Sequence, residues 1–194
     1  MAHRNKKKYK KLLEISEELF WKYGYHRVTM DEIAKAAGIS KATVYTYFPT
    51  KDDLFLEVLK SNTDYHMEKI MEKIDANYHT FDKIDCLYTY MLNIAKEFPM
   101  ILSKDIMERM NVLEKLSEYK TQKVLLMWKH ILEDGIQKGE IRALDVDFAA
   151  NLLLYMPTMF MKMEYLSMDE NQRVALYENL FDFMKYGLLG GLTK

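Results

Sequence analysis

Apolar residues recur along this chain at spacings of three and four, with no strictly alternating stretch of useful length, and that pattern predicts helix from end to end. The sharpest boundaries lie in TMDEIAKAAGISKATVYTYF, residues 29–48. Thr29 is placed to cap a helix beginning at Met30, and Glu32 three residues on completes a capping box. Ile33, Ala36 and Ala37 give that helix a narrow apolar face, and Gly38 supplies the left-handed residue that ends it. Ser40 caps a second helix from Lys41, which stops at Phe48 because the residue before Pro49 is pushed out of the helical region. Thr50 with Asp53 forms another capping box and launches a long helix to about Ile74. Further helices are expected from Thr80 (as cap) to Phe98, from Pro99 to near Arg109, and from Val112 to Lys138. The last two run from Asp145 or Asp147 to about Leu166, and from a Ser167–Glu170 capping box to Tyr186.

The facing of the second helix suggests its use. Val44 and Phe48 share one side and must be buried, which turns Ala42, Thr43 and Thr46 outward and leaves Tyr45 and Tyr47 on the shoulders, each roughly 80° from the buried direction. Small residues allow close approach to base edges, threonine can donate, accept or touch a thymine methyl, and shoulder tyrosines reach phosphates. The competing reading is a helical hairpin whose tyrosines only cover the core.

The segments LLEISEELFWKYGY, VTMDEIAKAAGIS and KATVYTYFPTKDDLF, within residues 12–59, resemble the DNA-binding domain of TetR-family transcriptional regulators. The resemblance implies that Thr29 meets phosphate at a helix N-terminus. It makes Lys41 to Tyr47, capped by Ser40, the recognition helix, with Tyr45, Tyr47 and Lys51 on the DNA backbone. Ala42 stands where the family often has glycine. The fold implied is all-α: a three-helix helix-turn-helix domain over residues 1–50, then a helical effector-binding and dimerisation domain over 51–194, about nine helices in all. A homodimer on a palindromic double-stranded operator follows, because one short recognition helix reads only a few base pairs.

Charge sharpens that picture. Residues 1–51 carry 11 Lys+Arg against 5 Asp+Glu, whereas the whole chain has a net charge of −1. A basic head on an acidic body suits a polyanion bound at one end. The opening HRNKKKYKK is either an arm that follows phosphates or a solvated terminus. A single cysteine, Cys86, suits a reducing cytoplasm, no signal peptide is evident, and the most apolar run, 149–161, is too short to span a bilayer.

The body is less legible. Thirteen of the 15 methionines follow residue 60, and methionine suits a pocket that moulds to an apolar ligand as well as it fills a core. Tyr155, Met156, Met159, Phe160 and Met163 cluster around Pro157, and Tyr88, Met91, Met107, Met110, Met127 and Trp128 are candidate partners across a cavity for a small, largely apolar effector. The resemblance makes the last two helices the dimer bundle, with Ala150, Leu153 and Leu154 on one and Leu176, Leu180, Phe183 and Met184 on the other. No catalytic motif or nucleotide-binding loop is present, and the five histidines share no metal-ligand spacing with one another or with Cys86. Neither catalysis, cofactor nor metal is therefore expected. The alternative from a different class is an all-helical protein-interaction module without DNA binding.

Overall fold

A computed structural model describes residues 2–164 and 168–182, which contain nine α-helices and no strand. They are α1 (Ala2–Arg27), α2 (Met30–Ala37), α3 (Lys41–Tyr47), α4 (Lys51–Asp75), α5 (Thr80–Glu97), α6 (Met100–Met107), α7 (Met110–Gln137), α8 (Val146–Glu164) and α9 (Glu170–Asp182). Among these residues no helix is long and apolar enough to cross a membrane.

The chain divides into two compact units, Met1–His66 with Phe98–Lys120, and Met67–Glu97 with Thr121–Lys194. The first has a core of Leu12, Phe20, Ile33, Val44, Leu54, Phe55 and Leu102, all fully buried. Phe20 meets Phe55 edge-on with ring centroids 5.0 Å apart. Polar ties brace the same unit: Asn62 donates to Glu17 at 2.9 Å, and the Tyr119 hydroxyl donates to Asp64 at 2.6 Å. The core of the second unit gathers Ile70, Ile74, Trp128, Ile131, Ala150 and Leu153.

Local chemistry sets the helix ends, and at two places it works differently from the sequence reading. Thr80 is the first residue of α5 rather than its cap. Its N–H is taken by Glu140 Oε2 at 2.7 Å, while Glu140 Oε1 lies 2.6 Å from His79 Nδ1. A carboxylate 60 residues away in the chain thus satisfies an orphan donor at the start of α5. Helix α9 is capped by a reciprocal pair, Asp169 N–H to Gln172 and Gln172 N–H to Asp169. The expected cap Ser167 lies outside the described residues. Asp145, one of the two candidates, starts α8 by accepting the Phe148 N–H at 2.9 Å.

Near its C-terminus α1 passes Gly24 at φ 77° and ψ 165°, a region essentially reserved for glycine. A Cβ there would lie 2.6 Å from the end of the Ile101 side chain, which would have to shift, so the left-handed backbone and the close approach of α6 both favour glycine. Immediately after it the Tyr25 N–H donates to Asp105 Oδ2 at 2.7 Å.

Two outcomes follow for stability. Gly24→Ala combines backbone strain with a clash against Ile101 and should cost at least about 2 kcal/mol in urea unfolding. Glu140 is held down to about 2, first by the Thr80 N–H and then by His79. Its folded value lies below the unfolded one, so its contribution is complete above about pH 4.5 and fades as pH falls toward 2. Discounted for solvent screening, it should be about 1–2 kcal/mol. The stability gap between wild type and Glu140→Gln should therefore be widest near neutrality and shrink on acidification, as read by urea midpoints at each pH.

Candidate nucleic-acid interface

Helices α2 and α3 are held in a fixed relation by chemistry that the sequence prescribes. Thr29 Oγ1 accepts the Glu32 N–H at 3.2 Å, and Glu32 Oε2 accepts the Thr29 N–H at 2.8 Å. Gly38 ends α2 at φ 69°, and the Ile39 N–H reaches back to the Ala34 carbonyl at 3.1 Å. Ser40 Oγ then accepts the Thr43 N–H at 3.1 Å and opens α3. After Phe48, Thr50 and Asp53 form the second capping box that opens α4.

Helix α3 is only seven residues long, and Val44 (fully buried) and Phe48 anchor it. Tyr9 on α1 braces these anchors. Its ring stacks on Phe48 at 5.7 Å and meets Tyr47 edge-on at 5.5 Å, and its hydroxyl donates to Glu57 at 2.8 Å. Burial and the neighbouring Glu57 carboxylate push the Tyr9 phenol well above its usual range, so it stays a donor. This brace was not singled out from the sequence, although Tyr9 continues the apolar face of α1 through Leu12 and Leu13.

The outward side presents Lys41, Ala42, Tyr45 and Thr46, all exposed, with Ser40 exposed at the N-terminus of α3 and Thr43 half-buried. Thr46 Oγ1 donates to the Ala42 carbonyl at 2.8 Å, and the Ser40 and Thr43 hydroxyls lie 2.8 Å apart. Lys41 pairs with Asp31 at 2.7 Å, and that hydrogen-bonded carboxylate raises the ammonium's pKa. An exposed pair of this kind is worth little, so a phosphate can take the lysine at small cost. Tyr45 is 41% exposed on one shoulder, and Tyr47 is half-buried against Tyr9 on the other.

Two expected phosphate contacts have other partners here. The Thr29 N–H and hydroxyl both bond Glu32, whose carboxyl these bonds hold below its ordinary range. Lys51 is half-buried with its ammonium 4.0 Å from the Tyr25 ring centroid, and burial above all lowers its pKa. The Tyr25 ring also carries the Arg109 guanidinium at 3.6 Å, and the Tyr25 hydroxyl donates to Asp52. No local sequence signal points to this cluster, because Arg109 is far along the chain.

The effector candidates divide between the units. Met107 and Met110 belong to the first unit and are exposed. In the second, Met127 and Trp128 are buried in the core, Tyr88 is half-buried and Met91 exposed. The side chains of Met156, Met159 and Phe160 lie outside the described residues. Of the dimer candidates, Ala150, Leu153 and Leu154 are buried within the second unit. Leu176 is half-buried, and the side chain of Leu180 with all of Phe183 and Met184 lies outside the described residues. Among the described side chains of α8, the exposed large apolar ones are Phe148, Leu152 and Tyr155, at spacings of four and three.

Two capped helices around a left-handed glycine, with a short exposed helix anchored by its opposite face, define a helix-turn-helix DNA-binding regulator. Residues 12–58 match the family described as bacterial regulatory proteins, tetR family. The chain is 30% identical to the uncharacterised HTH-type transcriptional regulator YhgD of Bacillus subtilis over 154 residues, 75% of this chain and 78% of that one. It is 27% identical to the fatty acid metabolism regulator protein of the same organism, over 75% of this chain and 77% of the relative. The crystal structure of the regulator FadR from Bacillus subtilis in complex with stearoyl-CoA superposes with a TM-score of 0.61. It shares 23% identity and covers 95% of this chain and 99% of that one. The chain belongs to the tetR family of bacterial transcriptional regulators, and it binds DNA.

Proposed function

We propose that this regulator is a cytoplasmic homodimeric repressor that leaves a palindromic operator when a small, largely apolar effector binds its second unit. The observation that carries the DNA half of this reading is α3 itself, anchored by Val44 and Phe48 while Ala42, Tyr45 and Thr46 are exposed. Ala42, Thr43 and Thr46 are the base-reading residues. Ser40, Lys41, Tyr45 and Tyr47 hold the phosphates, with Thr29 and Lys51 recruited if they exchange Glu32 and Tyr25 for the DNA backbone.

The effector half is supported by the likeness to a fatty acid metabolism regulator and to a fold solved with stearoyl-CoA. An acyl chain is accordingly the first effector to test. Three residues separate α3 from α4, which continues into the second unit, so α4 is the element through which effector binding is read at the DNA. The effector must prefer the conformation that DNA does not, and DNA then weakens effector binding by the same factor.

A single α3 reads too few base pairs for specificity, so a second copy is required at a spacing of about 34–36 Å or a multiple of it. The exposed stripe Phe148, Leu152 and Tyr155, with α9, is the face on which we place that copy. The buried residues of α8 have already spent their apolar surface inside the unit.

Gel shifts on the DNA flanking the gene test the reading. Tyr45→Ala should weaken binding to operator and random DNA alike, by about tenfold, whereas Thr46→Ala should mainly alter sequence preference. Equal losses on both DNAs for both variants would contradict the division of roles. Stearoyl-CoA should release the operator complex and coenzyme A alone should not; release by neither would remove the acyl class. Phe148→Asp should be monomeric in sedimentation where wild type is dimeric, with operator affinity at least about tenfold lower. An unchanged dimer would move the interface elsewhere.

A further inference from the structure

We propose that His26, Asp105 and Glu108 form a binding site for a divalent metal of the zinc class, joining the end of α1 to α6 within the first unit. Their ligand atoms all lie within 4.8 Å of one another. His26 Nε2 is 3.2 Å from Glu108 Oε2 and 3.6 Å from Asp105 Oδ1. Ligands of a tetrahedral zinc at about 2.1 Å are separated by about 3.4 Å, so these distances bracket what the ion requires. One imidazole and two carboxylates neutralise the ion's charge and suit a zinc-like cation with an open position for water.

The donors are held in place before any ion arrives. Asp105 is almost fully buried, and its other oxygen accepts the Tyr25 N–H at 2.7 Å, which aims Oδ1 toward His26. The His26 and Glu108 side chains are 62% and 65% exposed, leaving an entry path.

A cation of the chain itself already stands at this place. His26 Nε2 faces two partners with opposite demands: the Glu108 carboxylate, which only accepts, and Arg109 Nη2 at 3.3 Å, which only donates. A neutral Nε2 lone pair suits the arginine and repels the glutamate, while a protonated Nε2 does the reverse. A metal ion taking the lone pair and both carboxylates removes that conflict. Arg109 then retains the Asp105 carbonyl at 2.8 Å and Asp52 at 3.6 Å, with its guanidinium over the Tyr25 ring. Lys51 stands over the same ring and adds another cation to the neighbourhood. Arg109 and a metal therefore compete only for the His26 lone pair.

The test is titration of the metal-stripped full-length protein with cobalt(II), read by its visible absorption, and with zinc(II), read by calorimetry. One ion per chain is expected, with affinity at least about tenfold weaker in His26→Ala and in Glu108→Gln and tighter in Arg109→Gln. Zinc(II) should also raise Tm in wild type and not in His26→Ala. The exposed pair His130 and Asp75, 2.8 Å apart in the second unit, supplies the control. His130→Ala should bind as wild type does. Equal uptake by wild type, His26→Ala and Glu108→Gln, or uptake that disappears with His130→Ala, would overturn the site. The titration reads the ion directly, so its failure leaves the DNA-binding function untouched.

Discussion

A seven-residue helix cannot hold itself together, because nucleation costs more than so few hydrogen bonds return. Everything the DNA-binding end does therefore depends on how α3 is pinned from outside. Val44 and Phe48 bury its inner face, Ser40 satisfies an orphan donor at one end, and Pro49 stops it at the other. Tyr9 covers Phe48 and Tyr47 from α1, and Glu57 on α4 fixes the Tyr9 hydroxyl. Helix α1 thus braces the end of α3 directly, α4 holds that brace, and α2 packs against α3. This leaves its outer surface free to carry small and polar residues, since none of them is needed for stability.

How much of this could be read from the sequence follows from the range of each interaction. The Thr29 and Thr50 capping boxes, the left-handed Gly38, the proline stop and the facing of Val44 against Thr46 are decided within four residues, and the structure has them where the pattern puts them. Contacts between distant segments leave no such trace. Glu140 at the start of α5, Asp105 under Tyr25 and Arg109 over its ring join residues 60 to 84 apart, and no periodicity encodes such a meeting. Likewise, metal-ligand spacing along a sequence is a local signal. His26 and Glu108 lie 82 residues apart and meet only because α6 packs on the end of α1.

The faces of α8 show a subtler limit. Hydropathy marks Ala150, Leu153, Leu154, Phe148, Leu152 and Tyr155 all as apolar, so the helix reads as hydrophobic nearly all round. Which half goes inward is a tertiary decision. Ala150 and Leu153 fill the core beside Trp128 and Ile131, and Phe148, Leu152 and Tyr155 are left outside. An exposed apolar stripe costs solubility in an isolated chain, and a second copy covering it would remove that cost.

Electrostatics ties the two ends of the account together. The reader carries excess positive charge, yet several of its cations are engaged in the free protein: Lys41 with Asp31, and Lys51 and Arg109 with Tyr25 and its carboxylate neighbours. These engagements differ in how readily they yield. The Lys41–Asp31 pair is exposed on both sides and gives way to a phosphate at small cost. Lys51 is partly desolvated beside Arg109, so moving it to the DNA backbone exchanges a ring contact for a phosphate and also relieves the repulsion between the two cations. The same Arg109 faces His26 beside the α6 carboxylates. A metal bound there beside the retained guanidinium would add to the repulsion felt by Lys51 at the first turn of α4. The charge state of the α1–α6 junction and the readiness of Lys51 to meet DNA are therefore linked by direct Coulomb interaction over one aromatic ring.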